Sequence, residues 1–248
     1  MNPHLKDSLR SFAEATGLEV RKTSVYTSPK LRHQLLFSQL PIDLVLDAGA
    51  NTGQFVHQCR AAGYKGKIIS FEPSAAAHAS LLQSAAADRL WTVADRMALG
   101  ATTGDVEINI AANSYSSSLL PMLDSHLAAA PHSAYLQKEK VPLRRLDDVV
   151  AATAPGRYIF LKLDVQGYEC QVLAGATQLL NHTLAVQLEM SLLPLYEGET
   201  LMPQMHAAMT AKGFDLWDLE PSFRDSATGR LLQLDGIFIR SSFANQPA

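Results

Sequence analysis

Short apolar segments alternate with amphipathic segments over most of this chain. Apolar runs of strand length lie near residues 42–47, 67–72, 90–94, 157–164 and 184–190. Segments with helical spacing lie near residues 53–62, 74–86, 146–152, 167–180 and 200–212. Uniformly apolar runs are typical of strands buried on both faces, and their alternation with helices indicates right-handed crossovers. We therefore predict an α/β fold with a doubly wound, mostly parallel sheet.

The first forty residues do not follow this alternation. Residues 4–16 place Leu5, Leu9, Phe12 and Ala13 on one helical stripe, and a second helix is predicted for residues 31–39. We interpret residues 1–40 as an N-terminal helical extension that forms a lid or an edge of the main domain.

The last two apolar segments predict an antiparallel strand pair. They run from Phe214 to Leu219 and from Leu234 to Arg240, and a turn-rich stretch separates them. Such a pair would add an antiparallel edge to the parallel sheet. We therefore expect the main domain over residues 41–240 and a flexible polar tail over residues 241–248.

One insertion follows the third predicted strand. Residues 106–110 predict an extra strand, and a serine-rich run follows at residues 113–119. Serine-rich runs favour a flexible loop. Its position near the carboxyl ends of the strands also makes it a candidate wall of a substrate pocket.

Charge and cysteine content exclude several classes of protein. The 248 residues carry a formal net charge of −3 without a block of like charges, which gives no general attraction to nucleic acid or anionic lipid. Cys59 and Cys170 are too few for a disulfide framework, and no signal-peptide core or bilayer-length apolar stretch is present. We expect a cytoplasmic protein without a membrane span and without a nucleic-acid partner.

A glycine-containing turn follows the first apolar run. A dinucleotide fingerprint counted from Gly49 would need glycine at Asn51 and Gln54, and a P-loop would need lysine after Gly53. Neither pattern is present. The remaining pattern, Asp-x-Gly-x-x-x-Gly, resembles the S-adenosylmethionine loop of Rossmann-like methyltransferases. The cofactor contacts predicted here are Asp47, Ala48, Gly49, Ala50, Asn51, Thr52, Gly53 and Phe55.

An acidic residue ends the second apolar run. Glu72 lies about 20 residues after the glycine turn, where a carboxylate can accept hydrogen bonds from both ribose hydroxyls. By analogy with the fold, the segment after the third strand should border the adenine. The contacts predicted in these two segments are Glu72, Pro73, Ser74, Asp95, Met97 and Ala98.

Two charged residues lie on one face of the fourth strand. Lys162 and Asp164 are two positions apart, and Asp164 lies at the carboxyl end of the strand. Ligands of open α/β sheets bind outside these ends, so Asp47, Glu72 and Asp164 should meet at one crevice. A structural interpretation also remains open, in which Asp164 only caps the next helix and Lys162 only pairs with Asp164.

The segment Leu161-Lys-Leu-Asp-Val-Gln-Gly-Tyr-Glu169 resembles the signature of the FkbM-type methyltransferases, which depend on S-adenosylmethionine and mainly methylate hydroxyls. Further segments that agree span about residues 40–240. The resemblance implies a Rossmann-like class I methyltransferase fold that binds S-adenosylmethionine through Gly49–Gly53 and Glu72, with the acceptor over Asp164. Gln166 departs from the family, which more often has glutamate there, and its amide cannot act as a carboxylate base.

Transfer of a methyl group to a hydroxyl needs a base near the hydroxyl proton. Asp164 is the first candidate, either as the base or as a group that orients the hydroxyl or the methionine end of the cofactor. Glu189, in the neighbouring fifth strand, is the second, and Lys162 completes the predicted catalytic set. Two acids could also hold Mg²⁺ through water, but the sequence places no third oxygen ligand, so we do not expect a metal.

The predicted function is O-methylation of a hydroxyl on a sugar, a glycan or a secondary metabolite, so the expected partner is a small-molecule or glycan acceptor. Two alternatives remain open: N-methylation of a small amine, and a non-catalytic module that keeps the cofactor fold. A nucleic-acid methyltransferase is less favoured, because the chain is acidic and lacks a basic aromatic stripe.

Overall fold

The computed structural model describes residues 11–151 and 156–244. The strands, in chain order, are β1 (Leu44–Ala48), β2 (Lys67–Phe71), β3 (Trp91–Val93), β4 (Ala98–Leu99), β5 (Gly104–Ala111), β6 (Tyr135–Arg144), β7 (Ile159–Leu163), β8 (Thr183–Ser191), β9 (Phe214–Arg224) and β10 (Leu231–Arg240). The α-helices are α1 (Pro29–Gln39), α2 (Gln54–Ala61), α3 (Ala75–Ala85), α4 (Asp124–Ala129), α5 (Leu146–Val149), α6 (Glu169–Ala174), α7 (Met202–Ala211) and α8 (Ser241–Ala244).

The larger sheet has seven strands in the order β3-β2-β1-β7-β8-β10-β9. Five adjacent strands of this sheet, β3, β2, β1, β7 and β8, are parallel to one another, and β10 runs antiparallel to both β8 and β9. The predicted α/β sheet and its antiparallel C-terminal strand pair are therefore confirmed. This order makes β1 and β7 neighbours, although more than a hundred residues separate them in the chain.

Helices cover both faces of this sheet, because its strands are apolar on both sides. Leu46 belongs to one buried cluster and Val45 to another on the opposite face. The Leu46 cluster includes Leu173 of α6 and Met209 of α7. The Val45 cluster includes Leu36 of α1, Val56 of α2 and Leu81 of α3. The two clusters are the hydrophobic layers expected of a doubly wound fold.

A second sheet contains the insertion and has the order β4-β6-β5. The strand predicted at residues 106–110 is β5, which pairs antiparallel with β6, a strand that the sequence analysis did not predict. The serine-rich run, for which we predicted a flexible loop, contains one short helical segment. Residues Ser114–Ser116 form a 3-10 helix capped by Asn113, whose Oδ1 accepts a hydrogen bond from the Ser116 amide.

Several predicted boundaries differ from the structure. The helix predicted over 167–180 ends at Ala174, because the next residue, Gly175, packs so closely on Gly100 that a Cβ would lie 2.0 Å from the Gly100 oxygen. Ser241–Ala244 form α8, where we predicted the start of a flexible tail.

The predicted N-terminal stripe is only partly described. Leu5 and Leu9 lie outside the described residues, and residues 11–15 are helical. Ala13 is buried, but Phe12 is 72% exposed, so Phe12 does not lie on a buried stripe as predicted. The domain boundaries at residues 40 and 240 stay predictions.

Candidate functional site

A cavity of about 290 Å³ lies at the carboxyl ends of the parallel strands. It brings together residues that follow β1, β2 and β7 with residues of β8 and β10. The predicted site residues on its wall are Gly49, Ala50, Asn51, Phe55, Glu72, Pro73, Met97, Ala98, Lys162, Asp164 and Glu189. These residues are widely separated in the sequence, so the fold assembles one crevice from them.

The glycine turn after β1 needs glycine at two positions. Gly49 has a φ of +74°, and a Cβ there would lie 1.8 Å from the backbone oxygen of Asp164. Gly53 has a φ of +99° at the start of α2, and a Cβ there would lie 2.3 Å from the Trp91 ring. Any side chain at either position would therefore push apart the elements that form the cavity.

Glu72 lies between the glycine turn and the start of α3. Its Oε2 accepts a hydrogen bond from the Asn51 amide at 2.9 Å, and its Oε1 accepts one from the Ser74 amide at 2.8 Å. Burial raises the pKa of Glu72 to about 7, although these two hydrogen bonds and the Lys162 charge oppose the shift. Each carboxylate oxygen has further lone pairs, so Glu72 can still accept hydrogen bonds from a diol.

The two halves of the cavity differ in polarity. Around Glu72 the wall is mainly apolar and includes Phe71, Met97, Leu99 and Ile108. The Oδ1 atom of Asn51 is buried nearby, without a hydrogen-bond partner among the residues the structure describes. Three features of this half fit a nucleoside such as the adenosine of S-adenosylmethionine. Glu72 can accept hydrogen bonds from two hydroxyls, the apolar wall can contact the base, and Asn51 Oδ1 is an unpaired acceptor.

The opposite half of the cavity is polar and is organised by Gln166. Its Nε2 donates to Asp164 Oδ1 and to Glu189 Oε2, each at 2.9 Å, so both amide hydrogens are used. Its Oε1 accepts a hydrogen bond of 2.6 Å from the buried Tyr196 hydroxyl. Gln166 therefore holds two carboxylates in fixed positions, a role that a third carboxyl group could not perform, because it has at most one proton to donate.

Lys162 forms part of the cavity floor. Its Nζ lies 3.3 Å from Asp47 Oδ1, 3.5 Å from Asp164 Oδ2 and 3.1 Å from the Gly49 oxygen. Burial lowers the pKa of Lys162, but the charges of Asp164, Asp47 and Asp235 together raise it by more, so the pKa lies above its ordinary value. Lys162 is an ammonium at neutral pH and serves to fix Asp164 and the glycine turn.

Two acids of the polar half bind protons more readily than usual. Burial and the neighbouring Asp164, Asp235 and Glu169 raise the pKa of Glu189 well above its ordinary value. Burial and Asp164 raise the pKa of Asp235 to about 7, against the lowering effect of Lys162. The carboxylates are therefore close enough to influence one another's charge.

The serine-rich run covers the cavity and contacts both of its sides. The Asn51 Nδ2 donates to Ser114 Oγ at 3.1 Å, and the Ser118 Oγ donates to the backbone carbonyl oxygen of Gln166 at 2.7 Å. Ser117 and Ser118 also line the cavity. The run is placed where a wall of the pocket was predicted.

Six predicted cofactor contacts do not line the cavity, namely Asp47, Ala48, Thr52, Gly53, Ser74 and Asp95. Asp47 is fully buried beneath the floor, paired with Lys162 and accepting a hydrogen bond from Ser70. Ala48 packs in the core, and Asp95 is exposed to solvent. Gly53 and Ser74 contribute through the backbone, as a turn and as a donor to Glu72.

Several polar residues on the cavity wall were not predicted, and two of them lie in strands. Gln187 in β8 and Asp235 in β10 line the cavity beside Glu189. Asp235 lies directly opposite Glu189 in the antiparallel pairing of these strands. Both are polar residues inside otherwise apolar runs, which is the signal in the sequence that could have identified them.

The described residues contain neither a metal-binding cluster nor a helix able to span a membrane. Within residues 11–151 and 156–244, no group of three or more histidine, cysteine, aspartate or glutamate side chains is arranged to hold a metal ion. Over the same residues, every helix falls short of the length and apolar character that crossing a bilayer requires.

Comparison with known proteins gives one family. The model of the FkbM methyltransferase domain matches residues 47–216. The methyltransferase sdnD of Sordaria araneosa is 26% identical over 233 residues, which cover 80% of this chain and 88% of that protein.

Among solved structures, a SAM-dependent methyltransferase from Aquifex aeolicus aligns with 97% of this chain and 99% of its own, at 9% identity and a TM-score of 0.41. Aeropyrum pernix fibrillarin in complex with S-adenosyl-L-methionine aligns with 84% of this chain and 74% of its own, at 12% identity and a TM-score of 0.43. The family match covers more than half of the chain, including the glycine turn, Glu72 and Asp164. The chain therefore belongs to the FkbM methyltransferase domain family and is an S-adenosylmethionine-dependent methyltransferase, not a non-catalytic module.

Proposed function

We propose that this methyltransferase methylates a hydroxyl group on a sugar, a glycan or a secondary metabolite. The observation that supports this most directly is the position of Asp164. Its side chain is 38% exposed at the polar half of the cavity, while Gln166 and Lys162 hold one carboxylate oxygen each. Asp164 is thus a fixed, accessible acceptor for a hydroxyl proton.

The chain's residues divide the work as follows. When bound, S-adenosylmethionine supplies a methyl group on a positively charged sulfur. Glu72 and the apolar half of the cavity hold the nucleoside, and Asp164 orients the acceptor hydroxyl and takes its proton. Lys162 keeps Asp164 in place. Glu189 is the second candidate for the base, but its raised pKa means that it more often already holds a proton, which leaves it less available to accept one from the hydroxyl.

Cofactor binding and turnover of Asp164→Asn test this assignment. We expect the Kd for S-adenosylmethionine, from isothermal titration calorimetry, to change by less than about threefold, because asparagine keeps the shape of the side chain. Methyl transfer to a panel of sugars, polyols and phenols should fall by at least about tenfold. Asp148→Asn, at an exposed aspartate outside the cavity, is the matched control. Full turnover by Asp164→Asn would refute the assignment.

N-methylation is a second candidate, because carboxylates dominate the polar wall. Asp164, Glu189 and Asp235 all face the cavity there, and carboxylates attract ammonium groups. Analysis of the product separates the two functions. Mass spectrometry gives the added methyl, and the carbon chemical shift of that methyl distinguishes an oxygen-bound methyl from a nitrogen-bound one. A product methylated on nitrogen would overturn the proposal of O-methylation.

A further inference from the structure

A second cavity, of about 540 Å³, lies between the segment that leads into α1 and the sheet. Residues 21–33 form one side, and parts of α2, β8, β9 and β10 form the other. No prediction from the sequence assigned a role to it.

The wall of this second cavity is formed mostly by residues with polar side chains. It includes the hydroxyls of Thr23, Thr27 and Ser28 and the amides of Gln58 and Gln187. Pro29 and Ala61 are the apolar residues that line it among the described residues. A wall of hydroxyls and amides offers both donors and acceptors, which suits a ligand rich in hydroxyl groups.

Charges on this wall are of both signs, and two of them have close partners. Arg21 pairs with Glu19 at 2.6 Å, and Glu220 pairs with Arg32 of α1. Lys30 also lines the cavity, so positive and negative groups are mixed on its wall, and the cavity as a whole does not select a ligand of one charge. Its chemistry therefore favours an uncharged molecule.

The two cavities share part of their wall. Gln58, Gln187 and Asp235 line both of them. We call the cavity that contains Glu72 the cofactor cavity. Gln187 and Asp235 belong to its polar half, opposite the half that contains Glu72. A molecule in the second cavity thus borders side chains that also line the cofactor cavity, at the end away from the nucleoside.

Asp235 affects which ligand groups can bind at this shared wall. Asp164 and Glu189 lie on the same side of the cofactor cavity, and the ammonium of Lys162 is buried in its floor. The wall therefore presents acceptors and negative charge, so it stabilises a hydrogen-bond donor and repels an anion. An alcohol hydroxyl meets this requirement.

We infer that the second cavity binds the methyl acceptor, an uncharged molecule rich in hydroxyls, and that Asp235 accepts a hydrogen bond from it at the shared wall. This inference rests on the proposed O-methylation, because it identifies the acceptor class and its route to Asp164. It adds a binding site that the nucleoside half of the cavity does not provide.

Binding of a simple probe tests the inference without turnover. The probe is methyl α-D-glucopyranoside, and its binding to the protein saturated with S-adenosylhomocysteine is measured by saturation-transfer difference NMR. Ala61→Trp places a large ring in the second cavity from an exposed position on α2. We expect this variant to reduce probe binding by at least about fivefold, starting from the millimolar affinity usual for a small fragment.

Two further variants make the result specific. Ala79→Trp is the matched control, because Ala79 is exposed on α3 and lines neither cavity. Asp235→Asn should weaken the probe by about tenfold, the loss typical of a hydrogen bond to a charged group. The Kd for S-adenosylhomocysteine should stay within about twofold in all three variants, which also shows that each one folds.

The outcomes are distinguishable from failure of the proposed function. Undiminished probe binding in Ala61→Trp would overturn the location, and undiminished binding in Asp235→Asn would overturn the contact. Absence of probe binding to the wild type, or tighter binding of the anionic methyl α-D-glucuronide, would overturn the ligand class. None of these measurements depends on methyl transfer, so a failure of O-methylation would appear separately, in the product analysis.

Discussion

The carboxylate of Glu72 combines burial with two hydrogen bonds from backbone amides, and this combination makes cofactor binding sensitive to pH. Its pKa is raised to about 7, mainly by burial. In the proposed binding mode, ribose hydroxyls donate to the charged form, so protonation competes with binding. We expect the affinity for S-adenosylmethionine to be constant above pH 8 and to fall below pH 7, by up to about tenfold per pH unit. Calorimetric titrations between pH 5.5 and 8.5 measure this directly.

The matched variants for this prediction are Glu72→Gln and Glu197→Gln. Glu72→Gln should weaken binding at pH 8 and remove most of the pH dependence, because no proton can then be gained at this position. Glu197 is exposed outside the cavity, so its variant should behave as the wild type. Retention of the full pH dependence in Glu72→Gln would assign the effect to another group.

The pair formed by Asp47 and Lys162 gives a prediction about stability. Asp47 is fully buried, and burial raises its pKa although Lys162 lies 3.3 Å away. Lys162→Met should lower the free energy of unfolding by about 3 kcal/mol, because it leaves a buried carboxyl without its cation. The double variant with Asp47→Asn should regain much of this loss, and urea denaturation measures all three proteins.

The sign of the pH dependence provides a second check on this pair. In Lys162→Met, the pKa of Asp47 in the folded protein rises further above its unfolded value. The folded state then keeps a proton on Asp47 that the unfolded state has already lost. The stability of the variant therefore falls as the pH rises from the pKa of Asp47 in the unfolded state to its pKa in the folded state. The deficit relative to the wild type should be larger at pH 8 than at pH 5. An equal deficit at both values would mean that Asp47 does not titrate.

At the scale of elements, the end of α6 is fixed by a close backbone contact. A Cβ at Gly175 would lie 2.0 Å from the Gly100 oxygen, which follows β4. Gly175→Ala should therefore destabilise the protein by about 1–3 kcal/mol, as in other overpacked positions. Gly104→Ala is the control, because a Cβ there meets no atom within 4 Å and should change stability by less than about 0.5 kcal/mol. Thermal denaturation of both variants measures the difference.

The elements that could be predicted from the sequence are those buried on both faces. The strands of the parallel sheet are apolar runs, so their approximate positions were predicted. β6 was missed because Lys138, Glu139 and Lys140 interrupt any apolar alternation, and it belongs to the smaller sheet. The end of α6 was missed because its cause, the contact between Gly175 and Gly100, is not local.

The candidate site was predictable to a similar extent. Residues at strand ends, such as Glu72 and Asp164, can be located from the pattern of apolar runs in the sequence, and both line the cavity. The place of Asp235 depends on the register between β8 and β10, which puts it opposite Glu189. Register is set by tertiary packing and could not be derived from spacing within one segment.

Across the whole molecule, the alternation of side chains along the strands gathers polar residues on one face of the sheet. Asp47, Lys162 and Gln187 are paired in register across β1, β7 and β8, and Glu189 and Asp235 follow as the next pair. They lie on the face that α1 and α2 cover, since neighbours such as Val45 and Phe160 belong to the cluster on that side. This polar row runs from the floor of the cofactor cavity to the wall that it shares with the second cavity.

The two cavities should therefore respond differently when α1 is loosened from the sheet. Arg32 joins α1 to β9 through Asp218 and Glu220, with 19% of its side chain exposed. Arg32→Gln should lower the free energy of unfolding by about 1–2 kcal/mol, between the values for exposed and buried pairs. Because residues 21–33 form only the second cavity, the variant should bind methyl α-D-glucopyranoside at least about fivefold more weakly and S-adenosylhomocysteine with unchanged Kd. Arg157→Gln, which breaks the pair with Asp43 at the other end of the sheet, should leave both ligands unaffected. An equal loss of both ligands in Arg32→Gln would mean that the cavities form one cooperative unit.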